Sequence, residues 1–302
     1  MVITINIKSV ILLLLIYNFS FTCFSQTSER VPVLFGQFNR ALGLSNPAYL
    51  GSNKKKIEIN LANQSLIGAF SNIRTYYGQL NYSLKKEDSI PKINHTFGLL
   101  FYSDREGSYI SNTRIYGSYT IHLPITYRYT LSTGISLGAS TINFDNTQSS
   151  ASSSAIGLDG TIGLWLKSDN SFVGIAVNQL PQQTIIPLVE KYRLKRHLTV
   201  NICRKFYFSP TSYFAPIVQT RFFTNLQQDL DILLQMVLDN KVTFGSNLRY
   251  KKGIMAFAGL EDINMGDHHF RLVASYTFPL GRTTFNANQE MVEITLNYFI
   301  NN

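Results

Sequence analysis

Few residues of this chain could do chemistry. Five histidines, His95, His122, His197, His268 and His269, are spread over 302 residues. None sits in a nucleophile-elbow motif or at the spacing of a zinc-protease helix. Serine is so frequent that some serine always lies near a histidine, so such a pairing carries no weight as a triad. The segment EDINMGDHH (261–269) gathers Glu261, Asp262, Asn264, Asp267, His268 and His269, oxygen and nitrogen donors that could hold a cation. It lacks the acidic residue that closes a calcium loop, and a polar turn is the plainer reading. GLDGTIG (157–163) is glycine-rich, but no Lys-Ser/Thr pair follows to make a phosphate loop, so it reads as strand with bends. These patterns predict a protein with no catalytic site, no cofactor and no nucleic-acid-binding module.

The elements that would carry these residues repeat with a period of two. Ile57, Ile59 and Leu61 alternate with Glu58, Asn60 and Ala62. Leu230, Ile232, Leu234, Met236 and Leu238 alternate with Asp229, Asp231 and Gln235. Val292, Ile294, Leu296, Tyr298 and Ile300 alternate with Glu293, Thr295, Asn297, Phe299 and Asn301. Each stretch is roughly ten residues, the length a tilted strand needs to cross a bilayer and about twice that of a soluble strand. About fourteen such segments are separated by turn-forming residues. They begin near Lys56, Arg74, His95, Thr113, Thr130, Gly157, Ser171, Lys195, Tyr213, Gln228, Lys241, Ile254, His269 and Glu290.

The connections differ by parity. The third, fifth, seventh and thirteenth (DREGSYISN, DNTQSSASSSA, LPQQTIIPLVEKYRLKR and PLGRTTFNANQE) are long. The even-numbered KSDN, FSPTS and LDNK are short, with KKEDSIPKIN a partial exception. Long outer loops and short periplasmic turns are the asymmetry of outer-membrane barrels. A mean hydropathy of +0.01 excludes a bundle of membrane helices but suits strands that are half polar. Tyr76, Tyr77, Phe101, Tyr102, Phe222, Phe223, Tyr298 and Phe299 are expected in interfacial girdles, and Gly134 and Gly138 at bends of a closing sheet. The fold expected for residues 56–302 is all-β: a transmembrane outer-membrane β-barrel of about 14 antiparallel strands.

Residues 1–25 read as a cleaved signal peptide, with Lys8 before the apolar run SVILLLLIYNFSF and small residues Cys23 and Ser25 before a cut at Gln26. Lipidation of Cys23 and a retained anchor are the alternatives. Without Cys23, Cys203 has no cysteine partner and reads as a small strand hydrophobe. The remaining stretch, 26–55, is a lead-in. VLFGQFNRALGL puts Leu34, Phe38, Ala41 and Leu42 on one helical face, and SNPAYLGS (45–52) stops it with Asn46-Pro47 and turns it at Gly51. A short plug tucked into the lumen or across its periplasmic mouth fits this text; so does a flexible lead-in. The formal charge is +9, and basic residues gather at Lys54 to Lys56, Lys85-Lys86, Lys191 to Arg196 and Lys251-Lys252. These are solvated turns or contacts to lipid, wall polymer or protein.

The stretch FGQFNRALGLSNPAYLGS resembles the N-terminal signature of the PorP/SprF family of the Bacteroidetes. Gln37 and Phe38 are followed by an Asn-Pro-Ala-Tyr-Xaa-Gly motif at Asn46, Pro47, Ala48, Tyr49 and Gly51. VNQLPQ (177–182), KRHLTVNI (195–202), FAPIVQTRF (214–222), TFGSNLRYKKGIMAFAGLE (243–261) and the closing EITLNYFI are similar to later parts of the family. Leu50 stands where the family favours a small residue, and the polar stretch around Gln64 stands where the family usually has an aromatic soon after the first strand. The resemblance implies an outer-membrane barrel of the type IX secretion and gliding-motility apparatus that is not itself the export channel. It implies, as partners, outer-membrane lipid, a large secreted adhesin, or machine components such as an OmpA-like peptidoglycan-binding lipoprotein and translocon or motor-ring parts. The other reading is a passive or ligand-specific outer-membrane pore.

Overall fold

The two-residue period becomes fourteen strands in the computed structural model. They are β1 (Lys55–Leu66), β2 (Arg74–Leu84), β3 (Asn94–Glu106), β4 (Ile110–Pro124), β5 (Thr130–Asn146), β6 (Ala151–Lys167), β7 (Ser171–Asn178), β8 (His197–Arg204), β9 (Tyr213–Phe223), β10 (Gln228–Leu238), β11 (Val242–Arg249), β12 (Gly253–Met265), β13 (His268–Phe278) and β14 (Met291–Asn301). Each pairs antiparallel with its neighbours in sequence, and β14 pairs with β1, Leu296 opposite Leu61. The ring is therefore closed. The structure describes residues 28–30, 35–53, 55–68, 71–84, 93–146, 151–186, 192–223, 228–250, 252–279 and 290–301. The expected signal peptide, Cys23, Lys54, Lys85-Lys86, Lys191, Lys251 and most of KKEDSIPKIN and PLGRTTFNANQE lie outside them.

Alternation sorts the two faces as expected. Leu61, Leu234 and Ile294 point outward, while Glu58, Asn60, Asp231, Glu293 and Thr295 are buried inside. Strand starts fall within three residues of the sequence expectation, except that β6 begins at Ala151 rather than near Gly157. The Ser-rich stretch expected as the fifth loop is strand: Ala151–Ser154 pair with Asn143–Asn146. DREGSYISN likewise shrinks to a turn at 107–109 between β3 and β4. Small alternating residues satisfy a ladder as well as they satisfy a loop, so the hairpins extend. At 17 residues each, β5 and β6 exceed a membrane span and project beyond it. The asymmetry survives as tall hairpins at one mouth and short turns at the other.

The aromatic pairs need a correction too. Tyr76 and Phe101 face outward, but their neighbours Tyr77 and Tyr102 are buried inside, as is Phe299. Adjacent strand residues cannot share a face, so only half of each pair can join a girdle.

The inner wall is not polar throughout. One apolar patch is formed by Trp165, Cys203, Ile217, Leu233, Met255, Phe257 and Val273, and another by Ala62, Tyr77, Leu100, Tyr102 and Tyr116. Residues 35–53 cover both: Phe38, Leu42 and Ala48 sit on the first, Phe35, Ala41 and Leu44 on the second. The segment is a 3-10 turn (Phe38–Arg40), one helical turn (Leu42–Ser45) and a second 3-10 turn (Pro47–Tyr49), rather than one amphipathic helix. Walls on both sides demand apolar contacts on every face, which a single stripe cannot supply. Leu34, expected on that stripe, lies outside the described residues.

The segment also runs through the lumen instead of lying across one mouth. Ser28–Arg30 pairs in parallel with Tyr192–Leu194, which pairs with Thr184–Ile185, all at the hairpin mouth where β7 connects to β8. Ile185 and Leu194 pack there on Ile142. Ser52 and Asn53, by contrast, are held by Lys167 at the short-turn mouth, where β1 begins. Cysteines introduced at Ser28 and at Asn170, in the turn between β6 and β7, should therefore react with a membrane-impermeant maleimide from opposite faces of the membrane; labelling from the same face would refute this threading.

Candidate functional site

Asn46 shows why its residue type is required. Its backbone is extended, and its side-chain oxygen accepts from the Ala48 N–H at 3.0 Å, capping the turn that Pro47 opens. Its amide nitrogen donates to two barrel carbonyls, Leu164 O at 3.1 Å and Ile175 O at 3.3 Å. One side chain thus caps the segment and fastens it to β6 and β7. Thr120 of β4 donates to the Pro47 carbonyl at 2.7 Å. The wall beneath is glycine: a Cβ on Gly134 would stand 2.5 Å from the Ala48 nitrogen, and one on Gly163 would collide with the Asn46 side chain. Gly134 is thus a site of close backbone approach to the segment rather than only a bend. Gly51, with φ of +69°, takes the left-handed turn into β1.

Tyr49 is half-buried and meets Trp165 edge-on at 5.2 Å; Trp165 stacks in turn on Phe172 at 4.5 Å. Its hydroxyl accepts from Asn53 at 3.1 Å.

Gln37 and Phe38 anchor the other end. The Glu293 carboxylate accepts from the Gly36 and Gln37 backbone N–H groups at 2.7 and 3.0 Å. The Gln37 side chain donates to Ser275 at 3.1 Å and accepts from Thr295 at 2.9 Å, while Asn247 donates to the Gly36 carbonyl at 2.8 Å. Arg40 forms a two-pronged pair with Glu261, which Arg271 also contacts. Every motif residue singled out from sequence is thus in the lumen. The wall residues that receive them, Glu293, Thr120, Gly163 and Glu261 among them, were missed as partners. The only signal for Glu293 was an acidic residue at an inward position of the last strand.

The two ends of the lumen differ. Toward the hairpin mouth, Arg114, Tyr116 and Asp159 close the wall, with the Tyr116 hydroxyl 2.7 Å from Asp159. Asp159 belongs to GLDGTIG, which is part of β6 as expected. Toward the short-turn mouth the segment leaves a cavity of about 300 Å³, lined by Arg40, Tyr49, Lys55, Glu58, Trp165, Lys167, Asp169, Phe172, Lys205, Tyr213, Glu261, Arg271 and Phe299, among others. EDINMGDHH is dispersed. Glu261 faces the lumen, His269 meets Asp262 at 2.8 Å, and His268 meets the Tyr298 hydroxyl at 2.7 Å. Among the described residues no three His, Cys, Asp or Glu side chains converge as a metal site.

A family model described as type IX secretion system membrane protein PorP/SprF matches residues 27–298. The chain belongs to the PorP/SprF family. Solved barrels of similar fold agree with an outer-membrane location for this PorP/SprF protein. The toluene transporter TodX of Pseudomonas putida is 13% identical with a TM-score of 0.55, covering 90% of this chain and 95% of that one. The CymD monoaromatic hydrocarbon channel is 9% identical with a TM-score of 0.59, covering 90% and 95%. A Pseudomonas aeruginosa FadL homologue is 8% identical with a TM-score of 0.52, covering 87% and 94%. At these identities the likeness is one of fold. A search of curated proteins found no match.

Two substitutions test the seating of the PorP/SprF motif. Gly134→Val should displace Ala48, and Asn46→Asp should set an acceptor against two carbonyls, each leaving a heat-modifiable barrel whose residues 35–53 are cleaved by added protease. Gly117→Val, with nothing within 4 Å of its new Cβ, should be as resistant as wild type. Equal resistance of all three variants would contradict the seating. Tyr49→Ala should loosen the same segment by removing the ring on Trp165.

Proposed function

We propose that this PorP/SprF protein is a non-catalytic docking barrel of the type IX secretion and gliding machinery. In this reading residues 26–55 are a plug and 56–302 the barrel, and Gln37, Phe38, Asn46, Pro47, Ala48, Tyr49 and Gly51 hold the plug and hinge it into β1. The barrel supports export and surface attachment of a large secreted adhesin, or anchors periplasmic machine parts such as an OmpA-like wall-binding lipoprotein. The observation that carries this reading is the filled lumen: residues 35–53 occupy the space a diffusing solute would need, and polar and apolar wall residues alike are engaged with them. The names of the fold neighbours speak of hydrocarbon channels, but a segment fastened at both ends suits a platform better than a passage. The absence of a catalytic constellation in the sequence agrees with a role in binding.

The test is genetic and biochemical together. Deleting the gene should remove one large surface protein while uptake of small nutrients continues, and the tagged barrel should co-purify with that protein or with a secretion component. Intact secretion and surface display in the deletion strain, with no co-purifying partner, would defeat the proposal.

A further inference from the structure

The cavity at the short-turn mouth has a chemistry of its own. Its lining brings five cations, Arg40, Lys55, Lys167, Lys205 and Arg271, against three carboxylates, Glu58, Asp169 and Glu261. Glu261 is taken up between Arg40 and Arg271, so the surplus positive charge lies with the lysines around the opening. More cations than carboxylates in one wall call for an anion.

We propose that this cavity binds an acidic peptide segment of a protein partner that enters from the short-turn mouth, with a peptide carboxylate set among the lysines. A peptide suits the wall better than phosphate does. The three wall carboxylates oppose a compact dianion, whereas a peptide offers one carboxylate at a time. The volume, about 300 Å³, is at the small end of ligand pockets, which limits the occupant to a few side chains. The inference deepens the docking reading and rests on it for the occupant's being part of a protein.

Trp165 is the chain's only tryptophan, so its fluorescence reports on this cavity. The full chain in detergent would be titrated with acetyl-Asp-Phe-Asp-amide, with acetyl-Asn-Phe-Asn-amide and with inorganic phosphate at matched ionic strength. The acidic peptide should give a saturable change. Lys205→Gln or Lys55→Gln, or replacing the acidic peptide by the neutral one, should weaken binding by about tenfold, and phosphate should not displace the peptide. No saturable change, equal affinity for both peptides, indifference to both lysine variants, or displacement by phosphate would overturn the proposal. Surface display of cargo is read separately. A barrel that binds the acidic peptide while its deletion leaves cargo in place keeps the cavity and loses the docking role; the converse loses the cavity alone.

Discussion

A closed barrel of fourteen strands encloses more space than its own side chains fill, and its inner wall decides what that space becomes. A wall polar throughout can face water. This wall carries two apolar patches and a set of inward polar groups, among them the Glu293 carboxylate, that find partners on one stretch of chain. Covering that wall is the constraint on which the rest depends. Residues 35–53 meet it with three short turns, none of which would hold its shape alone in water. Their conformation is imposed by the wall, and the wall's burial depends on them, so lumen segment and barrel form one packed unit.

That mutual dependence explains the residue types. Asn46 is asparagine because it must accept from the segment and donate to the barrel at once. Pro47 opens a turn without an N–H to satisfy, and Gly134 and Gly163 are bare because the segment's backbone and Asn46 press on them. Truncating Phe38, buried on the larger patch, removes contacts typically worth about 3–5 kcal/mol in a packed interior. Polarity is then distributed by depth: fastened at the hairpin end by Glu293 and its neighbours, crowded with apolar contacts in the middle, and open to a basic cavity at the short-turn end.

Much of this was legible in the sequence. Alternation at 57–62, 230–238 and 292–301 fixes both the strands and which residues face the lipid, because a period of two has only one solution when one side is apolar. The motif SNPAYLGS was legible as a hinge from Asn-Pro and Gly chemistry, and as a family mark by resemblance. The hairpin extensions were not, since Ser and Ala at 151–155 serve loop and ladder equally. Nor was the threading of the segment. Phe38, Ala41 and Leu42 have helical spacing, but a segment enclosed on all sides has no polar face to give a stripe. Partners such as Glu293 lie more than 250 positions from Gln37, and no local pattern links them.

The claim that the lumen segment seals the barrel is tested most directly by single-channel recording of the wild-type protein in planar bilayers. The account predicts no steady conductance from the intact chain, with open-channel steps emerging in Gly134→Val, where the segment loses its seat. Steady, long-lived conductance from the wild-type barrel would contradict it.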